Sequence, residues 1–364
     1  MCTVNKEVGM AFKSRLTSRR QPRRQSIGAM LIGMGLLLAA CGGSGSPDPA
    51  ASSGDPSDGA DNPEPVTLTL LTAQVEDAVE HEGLWMFVER LEENAPWITI
   101  NYAGGPEVVP PTDQVEAVTN GAFDMVSVTP GYYTQSLPSA YALLTRTKEP
   151  LEEREDGSLE IVQELHQDIN VHYLGTTACC HGFQFMFGDK GSELDPENLS
   201  FSGMTLRSPP TYQPTAEALG ASIVTMPFSD VYTAIERGVI DGTGVGAAGV
   251  YALGIIDVVK YELRPDFLQN TYGLLVNQEK WETLDQATQD ALTDTMIEIE
   301  GETPDHYREV VMAEEAQREA DGVTPIELSD AEAEEFRQTA IDATWEAAIE
   351  GDPRTETLRE LWDN

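Results

Sequence analysis

The sequence predicts an α/β fold of two lobes built on largely parallel sheets, and three observations predict it. From Val66 onward, short apolar alternations and amphipathic stretches take turns along the chain, the pattern of strand–helix–strand units. Residues 115–124 (VEAVTNGAFD) and 232–241 (YTAIERGVID) repeat one form: helix, Gly, two small or apolar residues, Asp. The chain is 364 residues long with 40% hydrophobic residues, enough to bury two cores. Each copy of the repeat falls where one lobe would have its own sheet. Two similar lobes facing across a cleft are the plan of a hinged binding protein.

Residues 1–40 read as a secretory signal peptide. Lys13, Arg15, Arg19, Arg20, Arg23 and Arg24 precede an apolar run at 27–40 that is short for a membrane span. Leu38-Ala39-Ala40-Cys41 resembles the box at which bacterial lipoproteins are cleaved, which makes Cys41 the expected lipidated first residue of the mature chain. The arginine pairs leave Sec and twin-arginine export both open. Residues 41–65 form the lipidated Cys and a linker of Gly, Ser, Pro, Ala, Asp, Asn and Glu with nothing that can pack. Such a tether reaches about 25–30 Å.

The folded body opens with a strand at 66–73 (VTLTLLTA), then a helix at 82–91 whose Leu84, Phe87, Val88 and Leu91 share a face. A strand at 98–102 follows. A helix at 114–120 is stopped by Gly121 and feeds a strand at 123–128. Further strands are expected at 171–176, 183–187, 204–207, 223–226 and 271–277, with helices at 158–167, 211–219 and 228–237. The last third reads as helices at 284–300 and 305–320, a strand at 323–328, and a final helix opened by the capping box Ser329/Glu332.

The charge excludes one class of function. Twenty-two basic against 62 acidic side chains give a net charge of −40, and no basic patch lies beyond residue 24, so nucleic acid is not an expected partner. Removing the leader takes away seven basic side chains and one acidic one, leaving 15 against 61 and a net charge of −46. That surface keeps the protein soluble while straining it by self-repulsion. Four cysteines (Cys2, Cys41, Cys179, Cys180) are too few for a disulfide scaffold and are not spaced as a zinc site. Cys179 and Cys180 read equally as a vicinal disulfide or as two buried thiols, and His181 beside them as a packed side chain. The chain contains no G-x-S-x-G, H-E-x-x-H or C-x-x-C motif that would propose an enzyme.

One run of motifs resembles a known family. Gly203-Met204-Thr205-Leu206-Arg207-Ser208-Pro209, Ala218-Leu219-Gly220-Ala221, the stretch from Met226-Pro227-Phe228-Ser229-Asp230 to Ile235, and Gly238-Val239-Ile240-Asp241-Gly242 are similar to the solute-binding proteins of tripartite ATP-independent (TRAP) transporters, DctP type. Gly121-Ala122-Phe123-Asp124-Met125 and the segment from Leu275 to Trp281 fit the same family, and the likeness spans residues 66–350.

The resemblance implies a two-lobed periplasmic-binding-protein-like fold with hinge strands and a long hinge-spanning helix. Lobe I would be 66–184 plus 272–312 and lobe II 185–271 plus 313–364. A small organic anion would be trapped in the cleft and handed to the small and large permease subunits, with no cofactor. The Arg of the family's G-x-x-x-R segment is Arg207 here; its planar guanidinium suits bidentate pairing with carboxylate. Gln184 stands where many members carry another Arg, which implies one anchored carboxylate, as in binders of keto acids. Further lining candidates are Tyr132, Tyr133, Glu107, Phe228 and Thr243. In Thr243-Gly244-Val245-Gly246-Ala247, which follows Asp241-Gly242, there is no carboxylate or Asn, so a cation-assisted site is not expected. The expected location is extracytoplasmic, lipid-anchored to the outer face of the cell membrane or periplasmic. A receptor feeding a membrane sensor kinase is the alternative, and a secreted enzyme a more distant one.

Overall fold

The computed structural model describes residues 63–362. The expected signal peptide, the lipidated Cys41 and nearly all of the linker lie outside the described residues.

The first lobe starts with parallel strands. β1 (Val66–Thr72) pairs with β2 (Ile98–Gly104) on one side and β3 (Met125–Val128) on the other; α1 (Glu82–Asn94) and α2 (Pro111–Thr119) are the crossovers. Alternation along β1 feeds two cores. Leu68 and Leu70 pack with Leu84, Phe87 and Leu91 of α1, while Leu71 faces Val115 and Val118 of α2. α3 (Pro150–Asp156) and α4 (Ser158–Gln167) lead into β4 (Val171–Ala178).

The chain then crosses to the second lobe. β5 (Phe183–Phe187), β6 (Thr205–Arg207), α5 (Gln213–Ala218), β7 (Ser222–Val224), α6 (Val231–Glu236), β8 (Gly242–Gly246) and β9 (Tyr261–Arg264) follow. It returns through β10 (Tyr272–Asn277), which inserts antiparallel between β3 and β4, giving a first sheet of order β2-β1-β3-β10-β4. After α7 (Gln278–Thr283), α8 (Gln286–Glu300) and α9 (Thr303–Ala320), β11 (Thr324–Glu327) completes a second sheet of order β11-β9-β5-β8-β6-β7. α10 (Asp330–Gly351) and α11 (Thr355–Trp362) end the described chain.

Two adjustments to the expected lobe limits follow. The first crossing lies between β4 and β5, so Gln184 belongs to the second sheet rather than to lobe I. The last helix returns to the first lobe, where Leu358 and Trp362 pack with Leu159, Val162 and Leu165.

The internal repeat has a physical basis. Gly121 and Gly238 both take left-handed φ values, 71° and 66°, that end their helices. Three residues later each Asp clamps a neighbouring strand: the Asp124 carboxylate accepts from the backbone N of Thr69 at 2.7 Å, and that of Asp241 from the backbone N of Thr205 at 2.8 Å. The same device thus fixes β1 in one sheet and β6 in the other.

The two crossings lie side by side. Asn270 N donates to the His181 carbonyl at 2.8 Å, Gly182 N to the Asp266 carboxylate at 2.8 Å, and Phe183 and Phe267 exchange backbone bonds. His181 stacks on Tyr307 of α9 at 5.0 Å. α9 joins the lobes: the Tyr307 hydroxyl donates to the Val79 carbonyl at 3.1 Å and accepts from Gly83 N at 3.2 Å, in the first lobe. Three turns on, fully buried Arg318 donates to Glu262 of β9 at 2.6 Å and to Gln184 of β5 at 2.7 Å, in the second. α10 does likewise, with Phe336 and Ala340 in one core and Trp345 and Ala348 in the other. Within this crossing the structure joins Cys179 to Cys180 as a disulfide, with Cys180 at φ 66°.

Candidate functional site

Between the lobes lies a cavity of about 120 Å³. An apolar cavity of roughly 150 Å³ holds one benzene-sized molecule, so the space suits a single small ring or short chain. The first lobe contributes Gln74, Glu80 and Tyr132; the second contributes Arg207, Tyr212 and Phe228.

Arg207 is the last residue of β6, and its register against Val224 and Thr243 aims the side chain into the cleft. Its Nε donates to the Met226 carbonyl at 3.3 Å, Nη1 reaches the Tyr212 hydroxyl at 3.5 Å, and the guanidinium lies 5.2 Å from the Phe228 ring centroid. None of these partners is a carboxylate. The aromatic face and the tyrosine position the cation while leaving its charge uncompensated. Tyr212 is itself fixed, since its hydroxyl donates to the Gly244 carbonyl.

Across the cleft, Glu80 sits in the 3-10 turn Val79–His81 that precedes α1. Only 8% of it is exposed. Burial pushes its carboxyl up to about 7, with Glu314 and Glu82 adding to the rise and a backbone hydrogen bond opposing it. Next to it His81 is buried, and desolvation brings it down to about 3, so it is neutral. Its Nε2 accepts from Gln74 N at 3.1 Å, and the Gln74 side chain donates to the Tyr272 hydroxyl at 3.3 Å. Tyr132 lies within electrostatic reach of both charges: its pKa is raised mainly by burial, lowered by Arg207 and raised by Glu80.

Of the residues singled out from sequence, Arg207, Phe228 and Tyr132 meet in this cavity. The others do not line it. Gln184 is a correction: along β5 the Phe183, Phe185 and Phe187 side chains share one face and Gln184 takes the other, where it bonds Arg318 and Glu315. Phe183, one residue earlier, reaches the cavity instead. Thr243 is fully buried and donates back to the Arg207 carbonyl at 3.3 Å, supporting the strand rather than facing a ligand. The Tyr133 hydroxyl pairs with His166 at 2.9 Å inside the first core, and exposed Glu107 accepts from Gly105 N at 2.8 Å in a turn. Sequence reasoning missed Glu80, Gln74, Tyr212, Asn270 and Tyr272. Among the described residues no group of His, Cys, Asp and Glu is placed to hold a metal.

The lobes touch beside the cavity. Gly131, in the turn Pro130–Tyr132, approaches Thr211 of the turn Pro210–Tyr212 so closely that a Cβ would overlap the Thr211 side chain. Gly131→Ala is therefore expected to hinder closure. Overpacking costs about 1–3 kcal/mol, so ligand affinity should fall by about fivefold to a hundredfold, and small-angle scattering should show a wider molecule in saturating ligand. Unchanged affinity would mean that this contact plays no part in closure.

A sequence profile for bacterial extracellular solute-binding protein family 7 (DctP) matches residues 72–351. The ectoine-binding periplasmic protein TeaA of Halomonas elongata is 23% identical over 244 residues, covering 63% of this chain and 69% of that protein. The fold is similar to a TRAP periplasmic solute-binding protein of Marinobacter aquaeolei in an apo open structure, with a TM-score of 0.70 and 16% identity over 82% of this chain and all of that one. It is also similar to a TRAP solute-binding protein of Roseobacter denitrificans with bound β-D-glucuronate, with a TM-score of 0.67 and 20% identity over 81% of this chain and 98% of that one.

Proposed function

Since the chain belongs to the DctP family of bacterial extracellular solute-binding proteins, we propose that it captures a small carboxylic acid through Arg207 and delivers it to a TRAP permease from a lipid anchor at Cys41. Members of the family are substrate-binding receptors, not enzymes; they work extracytoplasmically with membrane permease components and bind small organic ligands. Among the described residues no helix is long and apolar enough to cross a membrane.

One observation carries the finer reading. Arg207 is half-buried between the lobes, backed by Phe228 and Tyr212, and has no carboxylate partner among its contacts. A carboxylate of the ligand completes it, and closure then strengthens the pair by excluding water. Binding stabilises the closed state because both lobes then touch the ligand. The cavity volume restricts the ligand to a compact acid, smaller than a sugar acid unless the lobes part further.

The test is thermal unfolding of the purified protein against mono- and dicarboxylates, keto acids, sugar acids, aromatic acids and ectoine. At a hundred times its dissociation constant, a true ligand adds about 2.7 kcal/mol of stability. A clear rise in the unfolding midpoint for one acid class supports the reading. A midpoint unmoved by every acid, in protein shown by mass spectrometry to carry no ligand, overturns it.

A further inference from the structure

We propose that the cleft is built for a zwitterion, with Glu80 holding a cationic nitrogen of the ligand while Arg207 holds its carboxylate. This deepens the carboxylate reading and rests on it. The two charges belong to different lobes and both line the cavity. Among the described residues neither has an oppositely charged partner. Arg207 contacts a carbonyl, a hydroxyl and an aromatic face. The groups around Glu80 are acidic or neutral: Glu82 on the following helix, Glu314 from α9, and Tyr272, Tyr132 and the neutral His81.

An unpaired carboxylate nine-tenths buried beside other carboxylates is costly, and folding alone gains nothing from it. Glu314 cannot relieve it, because its own oxygens accept from Gly249 N at 3.1 Å and Val250 N at 3.0 Å. That bond set also brings Gly249 against the turn carrying Glu80, so the second lobe covers the acid. A plain organic anion would satisfy Arg207 and then press its remaining polar atoms towards this negative pocket. A molecule with an ammonium or amidinium group a few bonds from its carboxylate neutralises both ends. Tyr132 lines the same cavity within electrostatic reach of both charges. A cavity of about 120 Å³ accepts such a molecule only if it is compact.

Matched pairs separate charge from shape: L-proline against L-pyroglutamate, 4-aminobutyrate against butyrate, and glycine betaine against 3,3-dimethylbutyrate. Each pair keeps the carboxylate and nearly the same outline, and differs in the cationic nitrogen. Calorimetric titrations of the full protein at pH 8, with Glu80→Gln and Arg207→Ala alongside, read the outcome. The expected result is a zwitterion bound at least tenfold more tightly than its partner in one pair or more, with that advantage lost in Glu80→Gln. Three results overturn the proposal: anions binding as well as or better than zwitterions in every pair, no zwitterion binding at all, or an advantage that survives Glu80→Gln. Anions that bind and lose binding in Arg207→Ala would leave carboxylate capture standing while the role of Glu80 falls.

Discussion

Arg207→Ala is expected to weaken binding of the cognate acid by about thirtyfold or more while leaving the fold intact. Removing one partner of a desolvated, hydrogen-bonded charge pair costs about 2–5 kcal/mol, which spans roughly thirtyfold to several thousandfold. The protein itself loses little, because the guanidinium's own bonds are one to the Met226 carbonyl at 3.3 Å and one to the Tyr212 hydroxyl at 3.5 Å, both long. Arg207→Lys should recover only a small part of the affinity, since an ammonium keeps the charge but loses the bidentate fork and the guanidinium's contact with the Phe228 ring. Calorimetric titration gives the affinity and a thermal scan without ligand gives the stability. An affinity loss under about fivefold would show that the carboxylate anchor lies elsewhere.

The largest stability effect is expected at Arg318, not in the cleft. Its side chain is fully buried in α9 and ties Glu262, Gln184 and the Ala247 carbonyl together. Arg318→Met keeps the hydrocarbon volume and takes one of two cations from Glu262, also fully buried, leaving it Arg264 among the described residues. Breaking a buried ion pair from one side costs about 3–5 kcal/mol. For a body of this size the unfolding midpoint should drop by roughly 5–8 °C. The double variant Arg318→Met/Glu262→Gln should recover part of that loss, because no unpaired charge is then left inside. A drop below about 2 °C in the single variant would mean that water or a rearranged Arg264 takes over the role.

How far the sequence could be read depended on whether a residue's neighbours were local. Strands such as β1 and helices such as α1 carry their own apolar period, and Gly121 and Gly238 announce helix ends by needing positive φ. Arg207 was legible because a fixed motif surrounds it. β8 was not, since Gly-Thr-Gly-Val-Gly has no strand pattern. Its glycines are there because Tyr212 packs where a side chain on Gly244 would stand, and the Asn270 side chain where one on Gly246 would stand. The error at Gln184 came from a period of two: one residue of register sent Phe183 to the cavity and Gln184 to the buried tie with Arg318. Glu80 left no signal at all. Its meaning comes from Glu314, 234 residues away in the chain, and from the second lobe that covers it.

The place of β10 bears on the order in which the chain can be assembled. This strand separates β3 from β4 in the first sheet, yet it follows the entire β5–β9 stretch in sequence. A polypeptide emerging N-terminus first therefore delivers β1, β2 and β3 long before the strand that joins them to β4. It delivers five neighbouring strands of the second sheet, β5 to β9, in one continuous run. The first sheet must wait as two fragments with open edges until residue 277 has emerged, whereas the second lacks only its edge strand β11. Although it is made first, the N-terminal sheet stays in two pieces until five of the six strands of the other sheet have emerged.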